Sequence, residues 1–223
     1  MEDLLKFEVN TAILVDGGFY RKRAYYLWKD KSPKERADEL YNYCIGLLRN
    51  NVEHRRLYRI FYYDCPPISK KVYHPLLDKT VDLSKTEEYQ WTMSFFDELR
   101  SKRKMALRLG KLSENTAHYD LKDDSLKKLM KGTLNINDLK ESDFRFTVEQ
   151  KGVDMRIGVD IITMALKKQV QQIILVSGDS DFVPASKQAR REGIDMILAP
   201  MGATIKSDLY EHIDGLINIQ NSP

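Results

Sequence analysis

The sequence predicts an α/β fold: a mainly parallel central sheet with helices on both faces and an inserted hairpin and helical segment. Three observations carry this. Short apolar runs such as Thr11–Val15 and Gln172–Val176 have strand length and end in Asp-Gly or Ser-Gly-Asp turns. Stretches of helical spacing lie between the strand-like runs, and such alternation favours parallel pairing with right-handed crossovers. The two runs are continuously apolar rather than alternating, as strands buried on both faces are.

In chain order, Thr11–Val15 is the first strand and a helical stretch follows it. A second helix starts at Ser32-Pro33-Lys34-Glu35, with a serine N-cap and proline in the first turn. Its apolar positions run through Ala37, Leu40, Tyr41, Cys44, Leu47 and Leu48. Leu57–Tyr63 is an aromatic strand stopped by Asp64-Cys65-Pro66-Pro67. Thr86–Lys102 carries a helical stripe of Trp91, Phe95, Phe96 and Leu99. Met105–Leu112 and Phe144–Val148 read as strands. The polar segment 113–142 between them is read as an insertion closing a hairpin, with short helices near Leu121–Met130 and Ile136–Leu139. Val153–Lys168 is a helix, Gln172–Val176 a strand, Val183–Arg191 a helix stopped by Gly193, and Ile194–Ala199 a strand. The whole of 1–223 is expected to be one domain containing that insertion.

The 223 residues suffice for a sizeable core, and the formal net charge is only +3, so any basic footprint must be local. Cys44 and Cys65 lack metal-type spacing and lie in apolar surroundings, the pattern of buried, reduced thiols. The acidic N-terminus is not a signal peptide, and no stretch reaches the roughly 18 apolar residues of a membrane span. These features read as a soluble, cytoplasmic chain without a membrane partner. The four histidines show no ligand spacing.

Chemistry concentrates at strand ends, where open parallel sheets bind ligands. ILVDGG places Asp16 at one tip, and ILVSGDSD places Asp179 and Asp181 just past another. Each has an ordinary reading, since Asp-Gly is a turn pair and Asp before a helix can cap it. Their joint occurrence favours a site for a hard divalent cation, Mg²⁺ or Mn²⁺, because clustered carboxylates repel one another unless neutralised. Asp154, which opens a helix after Lys151-Gly152-Val153, is a further candidate. Asp160, six residues on, lies about 120° round the helix from Asp154 and is only an extra candidate acid.

ILVDGGFY, KGVDMRIGVDI and ILVSGDSDFVPASKQARREGIDM resemble the NYN domain, a branch of the PIN-like nucleases related to LabA-type bacterial proteins. The resemblance covers about 11–63 and 144–200. The KGVD and SGDSDF blocks are specific, whereas DGG alone is weak. It implies a Rossmann-like PIN fold and a metal-dependent ribonuclease whose catalytic and metal-binding acids match Asp16, Asp154, Asp179 and Asp181. Asp160 matches a second acid of the KGVD block, and Ser177 matches the serine of the SGD turn, supporting the acids. Many members carry Asn where this chain has Phe19.

Arg21, Lys22, Arg23 and Lys151 are candidate RNA contacts, and Arg100, Lys102, Arg103, Lys104, Arg108 and Lys111 form an acid-free basic run. Tyr20, Tyr25, Tyr26 and Tyr73 are candidates for stacking bases. DNA stays open as a substrate, and so does a homodimer. A phosphatase of the haloacid dehalogenase type needs a second acid two residues after its nucleophile, and Gly18 stands there. The remaining rival is a weak or inactive PIN-like domain that binds RNA or a protein partner.

Overall fold

The computed structural model describes residues 8–49 and 54–219. The elements are β1 (Glu8–Asp16), α1 (Gly17–Trp28), α2 (Pro33–Leu47), β2 (His54–Asp64), β3 (Lys71–His74), β4 (Lys79–Asp82) and α3 (Glu87–Ser101). There follow β5 (Met105–Leu109), β6 (Lys111–Leu112), β7 (His118–Leu121), α4 (Asp123–Met130), β8 (Phe144–Thr147) and β9 (Gln150–Lys151). The chain continues through α5 (Val153–Leu166), β10 (Gln172–Val176), α6 (Val183–Arg191), β11 (Asp195–Leu198), α7 (Ser207–Tyr210) and β12 (Gly215–Leu216). Contacts divide the described residues into two compact units, one within Met1–Cys65, Ser94–Gly110 and Gly152–Pro223, the other within Pro66–Met93 and Lys111–Lys151.

The first unit holds a six-stranded sheet in the order β12-β11-β10-β1-β2-β5, and each neighbouring pair is parallel. Ala12–Val15 and Ile173–Val176 are all buried. Because successive side chains point to opposite faces, both faces of β1 and β10 are covered. The flanking helices supply that cover, as the α/β expectation requires. The order reverses at β1: the chain builds outward through β2 and β5 on one side and through β10, β11 and β12 on the other. Such a reversal opens a crevice at the carboxyl ends of the strands.

Local signals explain the helix starts. Ser32 caps α2 through a capping box with Glu35, and Pro33 sits in its first turn. α1 and α2 are tied by a buried polar group, in which the Tyr20 hydroxyl donates to Glu39 Oε1 at 2.9 Å. Glu39 also pairs with Arg36, and with Lys31 at 2.6 Å. Cys44 and Cys65 are buried free thiols. Among the described residues no helix is long and apolar enough to cross a membrane.

The second unit has its own small core of Ile68, Val72 and Leu83, packed with Tyr119, Phe146 and Val148. Its strands form three antiparallel pairs, β3–β4, β6–β9 and β7–β8. This corrects the hairpin expected between Met105–Leu112 and Phe144–Val148. The first of these strands breaks at Gly110: Met105–Leu109 joins the parallel sheet beside β2, and Phe144–Thr147 pairs with His118–Leu121 instead. A β-rich run next to Ile60–Asp64 gains more by extending the large sheet than by closing a local hairpin.

The tightest junction in the first unit is Gly17, the first residue of α1. A Cβ there would lie 2.6 Å from the Tyr62 ring and 2.6 Å from the Tyr63 carbonyl oxygen. Tyr62 is fully buried and packs edge-on against Phe95, so it cannot yield cheaply. Gly17→Ala is expected to cost about 1–3 kcal/mol, as overpacked core sites do. Thermal unfolding should show a Tm drop of roughly 2–4 °C per kcal/mol; an unchanged Tm would refute this reading of the junction.

Candidate metal and nucleic-acid site

β1 and β10 lie side by side with Val15 opposite Val176, so the next residues, Asp16 and Ser177, leave adjacent tips together. Asp16 doubles as the N-cap of α1, and its Oδ1 accepts the Phe19 N–H at 3.1 Å. Its Oδ2 accepts the Ser177 hydroxyl at 3.3 Å. Ser177 is fully buried, and its Oγ also accepts the Asp179 N–H at 3.3 Å. One hydroxyl therefore orients both the first acid and the turn that carries the next two. Asp179 Oδ1 accepts the Asp181 N–H at 3.1 Å, capping the 3-10 turn Ser180–Phe182. Lys206 reaches the same turn, donating to Ser180 Oγ at 3.2 Å.

Asp154 stands exposed in the first turn of α5. Burial raises the Asp16 carboxyl above its ordinary pKa, and the charges of Asp154 and Asp64 add to the rise against the hydrogen bonds from Phe19 and Ser177. Partial burial raises Asp154 as well, and its further causes are the charges of Asp179 and Asp181. Asp154 thus links the expected acids: its charge acts on Asp16, and those of Asp179 and Asp181 act on it. Among the described residues, however, no three carboxylate, imidazole or thiol side chains already converge closely enough to hold a metal ion.

Asp160 is placed elsewhere. Its Oδ2 accepts the Tyr63 hydroxyl at 2.8 Å and pairs with Arg108 Nε at 3.1 Å. Two of the three cations after Asp16 are likewise engaged within the protein. Arg21 pairs with Asp64 at 3.2 Å, and Arg23 donates twice to the Met201 carbonyl oxygen, at 3.2 and 2.7 Å. Lys22 instead lines a cleft of about 340 Å³ with Asp16, Phe19, Ser177, Gly178 and Asp179. Lys151 belongs to the second unit, in β9, where it pairs with Glu149 at 3.3 Å.

The basic run is dispersed. Arg100 pairs with Asp97, Lys102 with Asp38 and Arg108 with Asp160, while Lys104 donates to the Leu57 carbonyl oxygen. Of the tyrosines proposed for stacking, Tyr20 is core, whereas Tyr25, Tyr26 and Tyr73 are exposed.

Asp64 is the acid that sequence reasoning passed over as a strand stop. It ends β2, one strand over from Asp16, and is buried. It accepts from the Tyr62 hydroxyl at 2.9 Å and from Cys65 N at 2.8 Å, and pairs with Arg21. Burial raises its pKa, while Arg21 and these hydrogen bonds oppose the rise. The available signal was that LYRIFYYD is a third strand-like run with an aspartate at its tip.

A family model of the NYN domain matches residues 88–220, more than half of the chain. The match includes Asp154, Asp179 and Asp181 and begins after Asp16 and Asp64. No curated protein and no solved structure matched the chain.

Asp16 and Asp154 hold their protons to higher pH in the folded protein than in the unfolded chain. Between the unfolded and folded values the folded state binds more protons, so stability falls as pH rises through that window and returns as pH falls. In metal-free protein, Asp16→Asn keeps an acceptor for Phe19 N–H and removes the charge. It should raise Tm by a few degrees at neutral pH, and the gain should shrink as pH falls through the raised Asp16 pKa. A gain that grows on acidification, or a loss at neutral pH, would contradict this electrostatic account.

Proposed function

From the premise that this chain belongs to the NYN domain family, in general one of PIN-like nucleases, we propose that it is a metal-dependent ribonuclease. What supports this reading is that Asp16 and Asp179 line one cleft at the strand tips, with Asp154 near enough for its charge to act on Asp16 and to feel those of Asp179 and Asp181. Mutual repulsion contributes to the raised pKa of both Asp16 and Asp154. A divalent cation relieves such repulsion, and an all-oxygen donor set suits Mg²⁺ or Mn²⁺.

Asp16 and Asp179 would hold the ion directly, with Asp154 and Asp181 completing the site directly or through water. When bound, the ion supplies charge neutralisation at the phosphate and a more acidic water. The chain's own residues provide the rest. Ser177 fixes the Asp16 carboxylate, and each Asp16 oxygen, with one hydrogen bond engaged, retains accepting capacity toward the crevice. Asp154, raised in pKa, is suited to take a proton from an attacking water at a phosphodiester. Lys22, in the same cleft, is placed to meet a phosphate oxygen.

A second reading is favoured by the open spacing of the acids and by Phe19 standing where many members carry Asn: a domain that binds RNA or a protein partner without cutting. One experiment separates the two. Purified protein is given labelled single-stranded RNA or DNA with Mg²⁺ or Mn²⁺, beside Asp16→Asn and Asp179→Asn. The nuclease reading expects cleavage that EDTA abolishes and that each substitution lowers by about 100-fold or more. Metal should also raise the Tm of the wild type and fail to raise that of Asp16→Asn, since a ligand that binds only the folded state stabilises it. Cleavage that survives EDTA and both substitutions overturns the metal mechanism; metal binding without turnover supports the non-cutting domain.

A further inference from the structure

We infer that one face of α1 is a platform for unpaired nucleotides entering the acid site, with a base stacked on Phe19 and a phosphate met by Lys22. This rests on the nucleic-acid reading of the same site and adds which form of the strand it accepts.

The packing of α1 sets the argument. The helix buries Gly17, Tyr20, Ala24 and Trp28. Phe19 is off that buried set and partly exposed, an apolar ring in a cleft otherwise lined largely by polar groups. It does not fill the core. Its ring edge lies against Gly178, where a Cβ would come within 3.0 Å of it. The turn between the acid-bearing strand tip and Asp179 therefore carries no side chain at the point where the ring rests. The ring is held in place while part of it faces the cleft.

Lys22 follows Phe19 by three residues, so the two side chains share a helix face. Among the described residues Lys22 makes no ion pair, whereas Arg21 and Arg23 are engaged by Asp64 and the Met201 carbonyl. One turn further along the face, Tyr26 is exposed, and Arg23 lies over its ring at 4.9 Å. Phe19, Lys22 and Tyr26 thus run ring, cation, ring along one face of α1, starting at the acids. That is the pattern of single-strand sites, in which bases stack on aromatic rings and cations follow the backbone. The cleft's 340 Å³ lies at the small end of ligand pockets, suited to one nucleotide. Bases in a duplex are already stacked and paired, so their faces cannot lie on Phe19 without being unstacked.

The test measures binding apart from cutting. An oligoribonucleotide with one 2-aminopurine, whose emission falls on stacking, is titrated into Asp179→Asn protein, which lowers both acid repulsion and turnover. Quenching is expected, with no quenching by a duplex of the same sequence. Phe19→Ala in that background should bind about ten-fold more weakly or worse and lose the quenching, while Phe19→Tyr keeps both. Tyr26→Ala, at an exposed position that packing does not depend on, should weaken binding several-fold with an unchanged Tm. The inference is overturned if Phe19→Ala and Tyr26→Ala bind and quench like their parent, or if duplex competes equally. Wild-type cleavage together with unchanged Phe19→Ala binding would sink the platform alone. Lost quenching in Phe19→Ala without wild-type cleavage would sink the nuclease reading alone.

Discussion

The parallel pairing of β1 with β10, in a register that sets Val15 against Val176, governs what this protein can do. Ala12–Val15 and Ile173–Val176 are buried on both faces, so neither run can accept a charge before the strand tip. A slip of one residue would turn every side chain of a strand to the opposite face. It would also separate Asp16 from Ser177, and with it the hydroxyl that orients the carboxylate. Burial thus fixes the register, and the register places the acids.

The candidate site is electrostatically loaded. Burial and neighbouring carboxylates raise the pKa of Asp16 and Asp154; burial raises Asp64 at the next strand tip too, but there Arg21 and the Tyr62 hydroxyl oppose the rise. Two acids on adjacent strands therefore have different characters. One has protein donors on every side and a guanidinium partner. The other is held by one backbone N–H and one hydroxyl and keeps capacity toward the crevice. This contrast, more than the count of acids, is what favours Asp16 over Asp64 as the proposed ligand.

Much of this was readable from local chemistry. Gln172–Val176 and Val183–Arg191 were predicted at their observed bounds because an apolar run, a Ser-Gly-Asp turn and a proline in the first helical turn mark the ends unambiguously. The start of α2 was equally plain from Ser32, Pro33 and Glu35. The β3–β4 hairpin was not seen, because its connection, Pro75-Leu76-Leu77-Asp78, is largely apolar and its tight turn falls on Asp78 with φ 46° rather than on a glycine. The placement of Asp160 was beyond local reading. Its partners Tyr63 and Arg108 come from β2 and β5, and only the pairing of those strands brings them under α5. Arg21 and Arg23 looked like substrate contacts because nothing local reveals that Asp64 and the Met201 carbonyl lie within their reach.

The contact between Phe19 and Gly178 ties together two positions 159 residues apart in sequence. The constraint runs one way. Any side chain at 178 would press on the edge of the Phe19 ring and make it shift, whereas a smaller residue at 19 meets no obstacle and only widens the cleft. The bare backbone at 178 is thus what lets a ring stand beside Asp16 and Asp179.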